Sequence, residues 1–324
     1  MRVRTTFICG LDNVQLPKLA QESAPFADGY QITNVRPKIV ELLRMFGNAL
    51  GSVESGYLAN RASAIVFRFS EIETDGPDIQ ACLEARVIVD MLAVLRLGLG
   101  LWLVKDNAVH FDRVWLSAHT ANGPIVHNNY WASRMSSANG SYDPVQFSSS
   151  ELRAARSFQS PLPTYIGQSG SPTMLEHGSL RFQRFQYFLG AARETTDVAM
   201  KIAQYCSGLE ALVSTSQQEL SHQVSERVAC LVSSLGPERE RIFKLVKQAY
   251  GYRSKAVHGA SFKPADVGQL RDCSTKIDEI YRELYGLYFA DDGRFRAAAE
   301  GTDEDANRFF IKLLLGDSSH CPSA

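Results

Sequence analysis

"ERIFKLVKQAYGYRSKAVHG", residues 240–259, decides whether the second half of this chain is a helical bundle. At about 100° per residue, Ile242, Val246, Ala249, Tyr250 and Val257 fall on one apolar face, with Leu245 and Phe243 at its sides. Both ends carry boundary signals. Gly236-Pro237 puts proline in the first turn, where its missing N–H costs nothing. Gly259 follows His258 where a left-handed C-terminal cap belongs, and Pro264 discourages continuation. The spacing predicts a helix over 237–258. Arg253 lies at the centre of its apolar face, and a guanidinium there needs a paired acid, an anion or a wet cleft. His258 lies about 140° further round an ideal helix, so the two side chains flank a groove rather than stack.

Outward from this helix, the same periodicity predicts helices at 179–194, 197–214, 219–234, 266–290 and 302–316. Six helices with short connections imply a bundle. The first half is mixed. "SAIVFRFSEI" (63–72) reads as a strand, "DIQACLEARVIVDMLAVLRLG" (78–98) as a helix and "AVHFDRVWLSAHT" (108–120) as one or two strands. Serine-rich 135–150 and "QSPLPTYIGQSGSP" (159–172) read as loops or a linker. The expected organisation is an α/β or α+β domain over residues 1–172, followed by an all-α domain over 173–324.

Composition sets the outer limits. A chain of 324 residues with 45% hydrophobic and 21% charged residues is ordinary for a globular protein of two domains. Its net charge of −1 gives no global attraction to nucleic acid, so any such contact needs a local patch. Cys9, Cys82, Cys206, Cys230, Cys273 and Cys321 are scattered without a C-x-x-C pair. That fits thiols in a reducing cytoplasm and offers no metal cluster. The start lacks the apolar core of a signal peptide. The run 87–104 is long and apolar, but Asp90 and Arg96 inside it favour a buried helix passing into a strand over a membrane span. A cytoplasmic protein with no membrane partner is expected.

The local patch lies in the opening stretch. Arg241, Lys244, Lys247, Arg253, Lys255 and Lys263 follow one another with no acid between them. This strip suits a phosphate backbone, with Lys247, Lys255 and Lys263 as contacts beside Arg253; a solvated helix face is the alternative. Arg113 and His119 repeat the spacing in a strand, where they sit about 20 Å apart, too far to hold one phosphate.

"KIAQYCSGLEALVSTSQQELSHQVSERVACLVSS" (201–234), followed by the opening stretch, resembles the Apea-like branch of the HEPN superfamily. The matching features are "GLEALV", "ELSHQVSERVA" and "IFKLVKQAYGYRSKAVHG", which ends in an R-x(4–6)-H element. The resemblance covers about 60–80 residues within the helical half and says little about residues 1–172. It implies a helical bundle that dimerises, brings two such elements into one cleft and cleaves RNA without a metal or other cofactor. Phage defence, toxin–antitoxin and RNA-processing systems are its usual settings, with a phage-derived trigger or an antitoxin as further partners. Arg253 and His258 then form the catalytic pair. Ser254 stands where the superfamily more often has Asn, Asp or His. A bundle that has lost catalysis and binds RNA or nucleotide is the competing reading.

The chemistry suits these side chains. RNA carries its own nucleophile, the 2′-hydroxyl. Imidazole transfers protons near neutrality, and the guanidinium fork matches two phosphate oxygens. One histidine does not readily serve both proton transfers at once, and a two-fold homodimer supplies a second. Glu210, at the edge of its helix's apolar face, either orients Arg253 across the bundle or is an exposed glutamate in a good helix-forming segment. His222 reads as a surface histidine, Arg227 as a partner in a bundle ion pair, and His320 as part of a polar tail. The N-terminal domain is expected to sense a signal or hold the nuclease inactive.

Overall fold

The computed structural model describes residues 2–17, 24–25, 27–73, 79–157, 180–233, 236–289 and 293–315. The chain divides into two units, Met1–Met135 with Tyr142–Gly167, and Ser136–Ser141 with Gln168–Ala324.

The first unit is built on β1 (Arg2–Leu11), β2 (Val14–Gln15), β3 (Ala24–Pro25), β4 (Gln31–Thr33), α1 (Arg36–Arg44), α2 (Gly51–Asn60) and β5 (Ala64–Glu73). It continues with α3 (Ile79–Val104), β6 (Arg113–Thr120), β7 (Gly123–Tyr130), β8 (Val145–Gln146) and α4 (Ser149–Ser157). Six strands form one sheet in the order β3-β4-β5-β1-β6-β7, antiparallel at every pairing, while β2 and β8 form a small parallel pair. An antiparallel sheet needs no crossover helix between neighbouring strands, so the unit is α+β. Side chains alternate across the central strands. Phe7, Cys9, Val66, Val114 and Leu116 join one core with Leu83, Val87, Val94 and Leu101 of α3. Ile8, Ile65, Phe67 and Trp115 join another with Ile39, Leu42 and Leu58 of α1 and α2.

The strand expected at the end of the 87–104 run does not form, and α3 is a single helix to Val104. Gly98 and Gly100, which weaken a helix, lie inside it. Gly100 admits α4, since a Cβ there would meet the Ala155 carbonyl oxygen at 2.6 Å. By length and composition α3 could cross a membrane; here it packs on the sheet and α4. Asp90, fully buried on α3, accepts hydrogen bonds from Tyr30 Oη at 2.5 Å and Arg86 Nε at 3.1 Å, with Arg68 at 3.5 Å. A buried carboxylate with such partners has its charge compensated within the fold.

The second unit contains α5 (Arg181–Glu194), α6 (Val198–Val213), α7 (Leu220–Val232), α8 (Gly236–Val257), α9 (Val267–Tyr288), α10 (Arg294–Glu300) and α11 (Asp303–Leu314). α10 adds to the expected six. Its pattern lasts under two turns, too short for periodicity to show, yet it buries Phe295, Ala298 and Ala299. α6 is central, packing against α5, α7, α8 and α9. Gly208 makes the α6–α9 approach close, and a Cβ there would meet Tyr281 Oη at 2.0 Å. That hydroxyl donates to the Tyr205 carbonyl at 2.6 Å.

The serine-rich 135–150 stretch is not a free linker. Ser136–Ser141 belongs to the helical unit. Ser136 N and Oγ donate to the Arg193 carbonyl at 2.7 and 3.0 Å, and Ser274 Oγ donates to the Ala138 carbonyl at 2.6 Å. Serines lack apolar area, but their hydroxyls satisfy buried carbonyls, which composition does not reveal. A single cut at 172 therefore does not describe the organisation. The second expected linker, 159–172, and the tail with His320 and Cys321 lie outside the described residues. Among the described residues no cysteine forms a disulfide.

Candidate active site

α8 ends as its local sequence dictates. The Ala260 N–H donates to the Lys255 carbonyl at 2.9 Å and the Gly259 N–H to the Ala256 carbonyl at 3.2 Å. This double closure, with Gly259 at φ +72°, is a Schellman cap. It places His258 at the C-cap, exposed to solvent and one residue beyond the last helical residue.

Burial on α8 does not follow the ideal wheel to its end. Ile242, Leu245, Val246, Ala249, Tyr250 and Tyr252 are buried, whereas Val257 is 60% exposed. The apolar face therefore stops one turn early. Arg253 stands at its border rather than at the centre of a buried surface, with 33% of its side chain exposed. Among the described residues nothing covers Val257, and an isolated helix wheel does not register where its neighbours stop.

Glu210 of α6 meets Arg253 across the bundle. Arg253 Nη2 lies 3.4 Å from each carboxylate oxygen, at the outer limit of hydrogen bonding. The guanidinium carbon lies 5.8 Å from the Tyr250 ring centroid. Tyr250 Oη and Glu210 Oε1 are both buried, and the hydroxyl lies against the Glu210 carboxylate. Burial holds the Tyr250 hydroxyl pKa well above its usual value, and the Glu210 charge adds to this. Burial likewise pushes the Cys206 thiol up, while Arg253 draws it down. Tyr250, expected on the apolar face, and Cys206, expected only as a free thiol, thus both lie within electrostatic reach of Glu210 and Arg253. The available signal for Tyr250 was its place one turn before Arg253.

The other expected residues are not all assembled here. No hydrogen bond or ion pair joins His258 to Arg253 within one chain, where an ideal helix separates them by about 7.5 Å along its axis. Ser254 and Lys255 are exposed on the same last turn, and Lys263 is exposed beyond the cap. Lys247 lies 6.0 Å from the Phe243 ring centroid. It lines an open depression with Glu219, Leu220, Ser221 and His222, about 120° round α8 from Arg253. The basic strip is shorter than its sequence implies, because Glu238 pairs with Arg241 and Glu240 with Lys244. Those acids precede the strip by one turn, on the same face.

Two further expectations can be placed. His222 is exposed, its ring 5.3 Å from that of Phe243. Among the described residues Arg227 has no ion-pair partner: it is buried and donates to the Val213 carbonyl at 2.6 Å, Thr215 Oγ1 at 3.0 Å and Asn307 Oδ1 at 2.9 Å. In the first unit, Asp12, His110 and Asp112 bring one ligand-type atom each within 4.8 Å of the others, a grouping hidden by the distance between them in sequence. No protein-family model, curated protein or solved structure matches the chain.

Proposed function

We propose that the helical unit is a HEPN-type endoribonuclease of the Apea-like branch, acting as a homodimer on RNA without a metal. The observation that carries this reading is the Glu210–Arg253 contact beside an open helix end bearing His258. Glu210 aims the guanidinium, and the exposed third of Arg253 is free to meet a phosphate. His258, fixed at the C-cap but exposed, takes the proton from the 2′-hydroxyl or delivers one to the leaving 5′-oxygen. The second proton transfer falls to His258 of a second copy. Exposed Val257 gives that copy an apolar contact next to His258. Lys255 and Lys263 extend the positive surface along the RNA backbone.

Phage defence or a toxin–antitoxin pair is the setting this reading implies, with the first unit as sensor or restraint. RNA incubated with the full chain in excess chelator provides the test. Products ending in 2′,3′-cyclic phosphate, absent with His258→Ala, are expected. Products that persist with His258→Ala, or that appear only on adding metal, overturn the reading. Binding of RNA without cleavage by the wild type would leave the bundle as an RNA-binding module.

A further inference from the structure

We propose that the first unit binds one divalent transition-metal ion between Asp12, His110 and Asp112. The proposal is independent of the ribonuclease reading, because these residues lie outside the helical unit.

The fold assembles the site at the end of the central strand pair. β1 and β6 run antiparallel, with Cys9 facing Val114. Further along, Asp12 faces His110 in an isolated bridge, and the Asp12 N–H donates to the His110 carbonyl at 2.9 Å. Between these two pairs, Gly10 and Leu11 on one side are matched by Phe111, Asp112 and Arg113 on the other. The extra residue acts as a bulge, which turns side chains out of strict alternation. Asp12, His110 and Asp112 reach one spot as a result.

The imidazole is the informative member. His110 is only 6% exposed. Its Nδ1 lies 3.3 Å from the Ala108 carbonyl and 3.5 Å from Asn13 Nδ2. The carbonyl is the nearer, and Asn13 Nδ2 already donates to that same oxygen at 3.0 Å. In the tautomer protonated at Nδ1, the ring donates to the Ala108 carbonyl and turns the Nε2 lone pair toward Asp12. Nε2 makes no hydrogen bond, and its nearest charged neighbour is Asp12 Oδ2 at 3.7 Å. A buried imidazole held through Nδ1–H by a backbone carbonyl, with Nε2 open toward carboxylates, is the arrangement of a metal-bound histidine.

The carboxylates complete the set. Tyr57 Oη donates to Asp12 Oδ2 at 2.9 Å, the outer hydrogen bond that orients a ligating carboxylate. Neither Asp12 nor Asp112 has a lysine or arginine ion-pair partner among the described residues; the basic side chain beside Asp12 is His110 itself. Asp112 is exposed, which leaves the open side from which an ion and its waters enter. One nitrogen and two oxygen donors favour Zn2+ or Mn2+ over Mg2+ and Ca2+, which prefer all-oxygen sets. Three protein ligands with an open position leave room for a bound water or a phosphate oxygen.

The test uses the full chain, stripped with chelator and titrated calorimetrically with Zn2+, Mn2+ and Mg2+. One saturable Zn2+ or Mn2+ ion per chain is expected, together with a rise in melting temperature. Asp112→Asn should weaken that binding at least ~10-fold and abolish the rise, while melting of the metal-free chain stays unchanged because Asp112 is exposed. His110→Gln should do the same to binding. Absence of saturable binding, or binding that Asp112→Asn leaves at full affinity, overturns the proposal.

Discussion

Two arginines in the helical unit occupy opposite situations. Arg227 is 5% exposed, surrounded by neutral acceptors and lying 4.6 Å from the Phe310 ring centroid. Burial and the nearby Arg181 lower its pKa. Arg253 leans on a single carboxylate at 3.4 Å and keeps a third of its side chain in solvent. Both have an aromatic neighbour, so aromatic contact does not separate them. Enclosure does. A guanidinium whose donors are committed to buried carbonyl and amide oxygens holds α6, α7 and α11 together. One that rests loosely on an acid at the border of a buried face still offers its fork to an anion. In the first unit, Arg68 and Arg86 reach inward to the fully buried Asp90 while each keeps about a fifth of its side chain exposed.

The contrast implies opposite effects for the two alanine substitutions. On the proposed ribonuclease reading, Arg253→Ala should reduce RNA cleavage by about 10²–10³-fold, since it would remove charge stabilisation from the phosphorane. Its melting curve should stay close to wild type, and a large loss of stability would show that Arg253 is structural after all. Arg227→Ala should lower stability by about 3 kcal/mol in denaturant titration, because buried acceptors lose their donor. Full stability of that variant would mean that water replaces the guanidinium.

Smaller effects bear on what holds Arg253 and His258 in place. Glu210→Gln keeps the shape of the carboxylate but removes its charge, and should reduce the cleavage rate about ten-fold with melting unchanged. Activity equal to wild type would remove Glu210 from the site. Gly259→Ala forces a Cβ into φ +72° and should cost about 1 kcal/mol in thermal unfolding. No change there would show that the α8 cap reorganises without cost.

The helical half was the more legible part. Its six long helices follow from a period and from caps, and both signals are local. Asp197 caps α6 by accepting from the Met200 N–H at 2.8 Å, and Thr302 and Asp305 form a reciprocal cap on α11. The sheet was less legible. β5 and β6 show in sequence because they are β-branched and aromatic. β1, buried along most of its length, carries no clean alternation, and β7 is mostly polar. α3 continues past Gly98 to Val104, where a helix to 98 passing into a strand was expected. Gly100 makes room for a neighbouring helix, and a one-dimensional pattern cannot tell such a glycine from one that ends a helix.

The candidate site divides in the same way. That Arg253 needs an acid, an anion or a wet cleft follows from its position on an apolar stripe, since an unpaired guanidinium is costly to bury. Helix ends and the α8 cap likewise follow from neighbouring residues, because backbone hydrogen bonds reach only a few positions along the chain. Which acid answers Arg253, where the buried face of α8 ends, and how Asp12 comes to face His110 depend on elements far apart in sequence. These are properties of packing in three dimensions: steric fit and desolvation between distant segments set them, and no short stretch of the chain contains both partners.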